Sequence, residues 1–126
     1  MFIACDRGHL AVVERLLAHP ATEVNQARTT DGVTPLFIAC QNNHLAVVER
    51  LLAHPAMDGL NQVNNNGLSP LYIACDQNNL EVAKALLEKG ADMAIESTNP
   101  PGWTALRIAE QQGHGEVAAL LRGWRG

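Results

Sequence analysis

TPLFIACQNNHLAVVERLL, running from Thr34 to Leu52, is the stretch that decides the fold, because most of it recurs. A step of 35 residues carries Ile3-Ala4-Cys5 onto Ile38-Ala39-Cys40, then onto Ile73-Ala74-Cys75, then onto Ile108-Ala109-Glu110. HLAVVERLLAHP stands letter for letter at His9 to Pro20 and again at His44 to Pro55. A fixed period of this length marks a repeat array, whose single units are too small to bury their own apolar faces and therefore stack on one another.

Within one unit the residues dictate two helices. Thr34 can cap the first through its hydroxyl, with Pro35 at the position where a missing N–H costs nothing, and Ser69-Pro70 repeats this start. Thr104-Ala105 keeps the cap without the proline. The first helix is expected to span about eight residues and to close at Gly8, Asn43, Asn78 or Gly113, residue types that accept left-handed backbone. In the second helix apolar residues fall three and four apart, Leu45, Val48 and Leu52 on one line and Val47 and Leu51 beside it, so one face is buried. Glu49, Arg50, Lys84 and Glu88 fall on the solvated side. Pro20, Pro55 and Gly90 are the expected stops. Between units lie segments such as Thr29-Thr30-Asp31-Gly32 and Asn64-Asn65-Asn66-Gly67, turn chemistry for a projecting hairpin-like loop, with Asn99-Pro100-Pro101-Gly102 a stiffer version.

Composition agrees. Of the 126 residues 47% are apolar but only 4% aromatic, which suits close-packed small helices better than a barrel with large interior side chains. The net charge of −4 argues against nucleic acid as a partner, since no basic stripe is available for phosphates. Arg107, Arg122 and Arg125 are the nearest thing to a basic cluster and read as a solvated end. No run is long enough to span a membrane and no signal peptide is visible, so intracellular residence is expected. Cys5, Cys40 and Cys75 share one repeat position, which stacking separates by about 10 Å, too far for a disulfide. They read as small core residues, and the Cys40 to His44 spacing reads as scaffold in preference to a metal pair.

A turn-rich loop, Thr-Pro-Leu opening a short helix, and a second helix with paired leucines together resemble the ankyrin repeat, with its period of about 33 and its T-P-L-H-x-A signature. Thr34-Pro35-Leu36-Phe37-Ile38-Ala39, Ser69-Pro70-Leu71-Tyr72-Ile73-Ala74 and Thr104-Ala105-Leu106-Arg107-Ile108-Ala109 carry the likeness. So do the doublets Leu16-Leu17, Leu51-Leu52, Leu86-Leu87 and Leu120-Leu121, and Gly90-Ala91-Asp92. The resemblance implies an all-α solenoid of helix-turn-helix units joined by β-hairpin-like loops. It divides the chain into an incomplete first repeat (1–28), a second (29–63), a third (64–98) and a C-terminal capping repeat (99–126). The longer period should lengthen or bend the loop tips. The signature histidine, which in the family ties loop to helix, is replaced by Phe2, Phe37, Tyr72 and Arg107, leaving aromatic packing or partner binding as the roles of that column.

In function, the resemblance implies a non-enzymatic module that binds a protein on a concave face built from loop tips and inner helices. Carried over position by position, that face comprises three columns. The loop tips supply Asp31, Asn66 and Pro101; the loop-to-helix junctions Val33, Leu68 and Trp103; the first helices Phe37, Gln41, Asn42, Tyr72, Asp76, Gln77, Arg107 and Gln111. These positions vary between copies while helix interiors hardly change, as a binding face or neutral drift would each produce. Trp103 reads either as an interface anchor or as a lid over Pro101. No catalytic constellation, metal site or cofactor fingerprint converges, and the five histidines fall on scaffold positions.

The two ends differ. Glu110, Gln111 and Gln112 make the last unit read as a polar cap, its second helix shortening into Arg122-Gly123-Trp124-Arg125-Gly126. The first unit keeps the Cys5, Val12, Val13 and Leu16 of an internal repeat, which predicts an uncovered N-terminal face. The chain is expected to be a monomer unless that face mediates self-association. A scaffold segment of a larger multidomain protein or effector is the alternative reading, as is an engineered array.

Overall fold

A computed structural model describes residues 1–124; Arg125 and Gly126, and with them the last of the three arginines and the very end of the expected cap, lie outside the described residues. Eight α-helices form in that span, in the order α1 (Phe2–Asp6), α2 (Leu10–Leu17), α3 (Pro35–Gln41), α4 (Leu45–Leu52), α5 (Pro70–Asp76), α6 (Leu80–Glu88), α7 (Ala105–Gln111) and α8 (Gly115–Gly123). They pair α1 with α2, α3 with α4, α5 with α6 and α7 with α8. The odd-numbered helices pack in sequence on one another and the even-numbered ones do the same, giving a two-layer stack. No helix among the described residues is long and apolar enough to cross a membrane.

The local chemistry explains where each helix begins and ends. Thr34 Oγ1 accepts from the Phe37 amide at 3.1 Å, Ser69 Oγ from Tyr72 at 3.1 Å and Thr104 Oγ1 from Arg107 at 3.2 Å, so each hydroxyl satisfies one amide that the helix leaves unpaired. Met1 offers α1 no such cap. The turn from odd to even helix passes through left-handed backbone at Gly8, Asn43, Asn78 and Gly113, with φ of 69°, 59°, 60° and 75°. The even helices stop short of the prolines: α2 ends at Leu17 and α4 at Leu52. His19 and His54 then turn the chain, each ring Nδ1 accepting an amide two residues on, from Ala21 at 3.2 Å and Ala56 at 3.1 Å.

The interior runs the length of the stack. Cys5, Cys40 and Cys75 are all buried and unpaired, as expected from their separation by repeat. Burial holds the Cys5 thiol up at about 11 and, with help from the Asp76 charge, the Cys75 thiol at about 12, and pushes Cys40 higher still. Val13, Val48, Leu51, Val82 and Leu86 are fully enclosed between the layers.

Two sequence expectations about the last unit need correction. Its second helix does not shorten, since α8 runs nine residues, as many as α6. The Leu120-Leu121 doublet is also one place out of register: Leu121 falls 35 residues after Leu86 and is buried, whereas Leu120 is half-buried. Arg122 takes the place of Leu87, and it pairs with Glu110 at 2.9 Å on the exposed end of the stack.

Replacing Thr34 by Ala leaves a buried amide without its acceptor and is expected to cost about 1 kcal/mol, read as a lower midpoint in urea. Thr104→Ala, at a half-buried cap, should cost less. The thiols make stability fall at alkaline pH. Above about pH 9.0, the ordinary value, the unfolded chain gives up thiol protons that folded Cys5 and Cys75 retain to about 11 and 12, so each further rise favours the unfolded state. A Cys5→Ala/Cys75→Ala chain should lose midpoint more slowly between pH 9 and 10.5.

Candidate functional site

The side of the stack carrying the loop tips and odd-numbered helices is positioned by hydrogen bonds that cross from one repeat to the next. At the ends of α1, α3 and α5 a backbone carbonyl is taken by the residue that opens the following pair's even helix. His44 Nε2 lies 2.9 Å from the Asp6 carbonyl, Asn79 Nδ2 donates to Cys40 at 2.7 Å, and His114 Nδ1 lies 2.9 Å from the Cys75 carbonyl. The Cys40 and Cys75 carbonyls take long bonds from the Asn43 and Asn78 amides, at 3.4 and 3.3 Å, within their own turns, and the neighbour's side chain adds a shorter one to each, as it does to the Asp6 carbonyl. Asn79 is buried at 8% exposure, which makes its contribution the hardest to replace with water.

The loop tips are joined as well. The Asn65 amide donates to the Asp31 carbonyl at 2.9 Å, and the Thr98 and Asn99 amides donate to the Asn66 carbonyl at 2.9 and 3.2 Å. Within each tip, short bonds close the turn: Arg28 N to Val33 O at 2.9 Å, Asn64 N to Leu68 O at 3.0 Å, and Ser97 N to Trp103 O at 2.8 Å. The limbs are too short to become strands, and only an isolated bridge between Thr98 and Pro101 approaches one among the described residues. The expected hairpins are thus tight turns laid edge to edge.

Side chains at the tips serve the same end. Arg28 donates from Nε to Asp31 at 3.2 Å, and this contact, ahead of the Val33 amide, holds the Asp31 carboxyl below its ordinary range. Asn64 Oδ1 accepts from the Asn66 and Leu68 amides at 2.9 and 3.0 Å. Asp31 and Asn66 therefore belong partly to loop architecture, while Pro101 is exposed beside a cis Asn99–Pro100 bond.

The fourteen positions carried over from the resemblance separate by burial. Val33, Phe37 and Tyr72 are only 6%, 3% and 6% exposed, so they sit in the core and present no surface. The reason is stacking: in the middle of the array a large side chain at the odd helix's third position is enclosed by helices on both sides. Of the two roles left open for the aromatic column, packing is the one its central members perform. Arg107, at the last repeat, is exposed, and its guanidinium lies 4.2 Å from the centre of the Trp103 ring. Arg28 covers Phe2 in the same manner at 4.1 Å.

Gln41, Asn42, Gln77 and Gln111 are exposed and Asp76, Leu68 and Trp103 half-buried. Some are already engaged: Asn42 Nδ2 donates to the Asp6 side chain at 2.6 Å, and Gln112 Nε2 to Asp76 at 2.8 Å. Of the ties themselves, sequence reading had His44 and His114 as scaffold positions without their partners and passed over Asn79. Their signal was the recurrence of a side chain with a hydrogen-bonding nitrogen at one position of every unit.

The tip glycines test this account. A Cβ on Gly67 would stand 2.7 Å from the Thr98 backbone nitrogen, whereas on Gly102, in the last loop among the described residues, it would meet nothing closer than Glu96 Oε1 at 3.7 Å. Both have positive φ, 74° and 80°. Gly102→Ala is expected to cost about 1 kcal/mol from backbone strain alone, and Gly67→Ala at least about 1 kcal/mol more, measured as the difference between their denaturation midpoints.

A family model described as ankyrin repeats (3 copies) matches residues 1–97 and, overlapping, residues 60–123. No curated protein matches the chain. The match extends over nearly the whole stack of helix pairs, and the chain belongs to the ankyrin repeat family.

Proposed function

We propose that this chain is a non-enzymatic protein-interaction module that takes a protein partner on the side formed by its loop tips and odd-numbered helices. Ankyrin repeats are in general protein–protein interaction modules. The observation that carries the finer reading is the contrast along one register: Gln41, Asp76 and Gln111 alternate between amide and carboxylate, and Asn42 gives way to Gln77 and Gln112, beside buried Ala39, Ala74 and Ala109, which do not change. The odd-numbered helices approach one another more closely than the even-numbered ones, which supports a stack curved toward that side and a continuous groove along it. Trp103, half-buried beneath Arg107, offers the large flat contact that interface anchors use. Three unpaired thiols suit a reducing, intracellular setting.

The test compares two triple variants in partner capture from lysate. Gln77→Ala/Trp103→Ala/Gln111→Ala removes two exposed groups and the half-buried Trp103 from the proposed face, and Glu49→Ala/Lys84→Ala/Glu88→Ala removes exposed groups from the even helices. Proteins retained by the parent chain are expected to fall at least about tenfold for the first and to be unchanged for the second, with both folds within about 1 kcal/mol of the parent. Loss confined to the even-helix variant would place the partner on the opposite side.

A further inference from the structure

The two ends of the stack are chemically opposite. The last repeat has no successor among the described residues, yet Ile108 is only 9% exposed and Val117 0%. What covers these two positions therefore comes from the repeat before. The same positions in the middle pairs are covered alike, with Ile38 and Ile73 at 9% and 6% and Val47 and Val82 at 1% and 0%. In the first pair they are Ile3 and Val12, and they stand 69% and 47% exposed. With Met1, Ala4, Arg7, His9 and Leu16 they line an open hollow of about 470 Å³.

The opposite face is polar by substitution. Cys5, Cys40 and Cys75 are 0% exposed, whereas the fourth member of that column is Glu110, which is exposed. Leu17, Leu52 and Leu87 are buried, and their fourth member is Arg122, ion-paired with Glu110 at 2.9 Å. A second copy stacked head to tail would set this ion pair against Ile3 and Val12 and desolvate both charges, so the chain's own far end does not fit its near end.

His9 narrows the choice of occupant. Its equivalents His44, Asn79 and His114 each hold a backbone carbonyl at the end of the odd helix one repeat earlier, at 2.7–2.9 Å. His9 is exposed. An occupant that matched the three internal interfaces would bring an apolar face for Ile3 and Val12 and a helix-terminal carbonyl for His9. We propose that the α1–α2 face is a stacking interface for one further ankyrin-type helix pair, continuous with this stack.

The experiment uses the full chain with and without a copy of Thr29–Pro70 fused directly ahead of Met1. That segment precedes Leu71 in the chain, and Met1 lies 70 residues before Leu71, so the fusion keeps register. Amide exchange across residues 3–17 is expected to slow by at least ~10-fold in the fused chain, with a higher denaturation midpoint. Val12→Glu should leave the midpoint of the unfused chain almost unchanged and abolish the gain in the fused one. His9→Ala should remove part of it. A folded extension, seen as added helix by circular dichroism, that leaves exchange at 3–17 unaltered would overturn the proposal. So would an extension that stays unstructured, since the same residues are helical at 29–70. A concentration-dependent dimer of the unfused chain, with residues 3–17 protected and dissociated by Val12→Glu, would overturn it in favour of a second copy.

Discussion

The carbonyl that ends each odd-numbered helix is the point at which one repeat holds the next. A helix leaves its last carbonyls unpaired, and in a two-helix unit nothing local can take all of them. Here the side chain opening the neighbouring even helix adds a bond to one of them, as a His at two interfaces and an Asn at the third. Because the bond is to backbone, it sets the distance and angle between units independently of which side chains fill the core. The apolar contacts around it then bury Ile and Val toward the preceding unit and Cys and Leu toward the following one. The hydrophobic contacts supply most of the stabilisation, and the directional bond selects one register from the several that interchangeable small apolar residues would allow.

That arrangement separates scaffold from surface. Loop tips bonded edge to edge and odd helices held at constant spacing leave a row of side chains whose spacing is rigid and whose identity is free. Asp31 and Asn66 show how the two demands overlap, since Asp31 holds its own turn and Asn66 accepts from the next loop while both stand on the face proposed for binding. The aromatic column shows them parting: enclosed by neighbours at Phe37 and Tyr72, it opens at the last repeat into the exposed pair of Arg107 and Trp103. A position's role thus depends on where in the stack its repeat stands as well as on its place within the repeat.

Much of the fold was legible before any coordinates, because its signals are local. The Thr and Ser caps, the left-handed Asn43 and Asn78, and the buried thiols follow from residue type and immediate neighbours, and the structure has each where the residues indicated. What failed to read correctly involves distance or register. Leu120-Leu121 looked like a leucine doublet, but the 35-residue step makes Arg122 the second member. The helix expected to shorten into Arg122 and Gly123 continues through them, held in part by the pairing of Arg122 with Glu110, twelve residues away.

The sequence by itself determined the class of fold, the period, the helix starts and the asymmetry of the two ends, since these depend on composition and on contacts within a few residues. Only the tertiary structure decided which of the fourteen face positions are surface, which carbonyl each His and Asn holds, and which helix face looks toward the preceding repeat. The physical reason is that burial and hydrogen-bond partnership are properties of two units brought together. Partners such as Asn79 and Cys40, 39 residues apart, acquire their relation only when the stack forms.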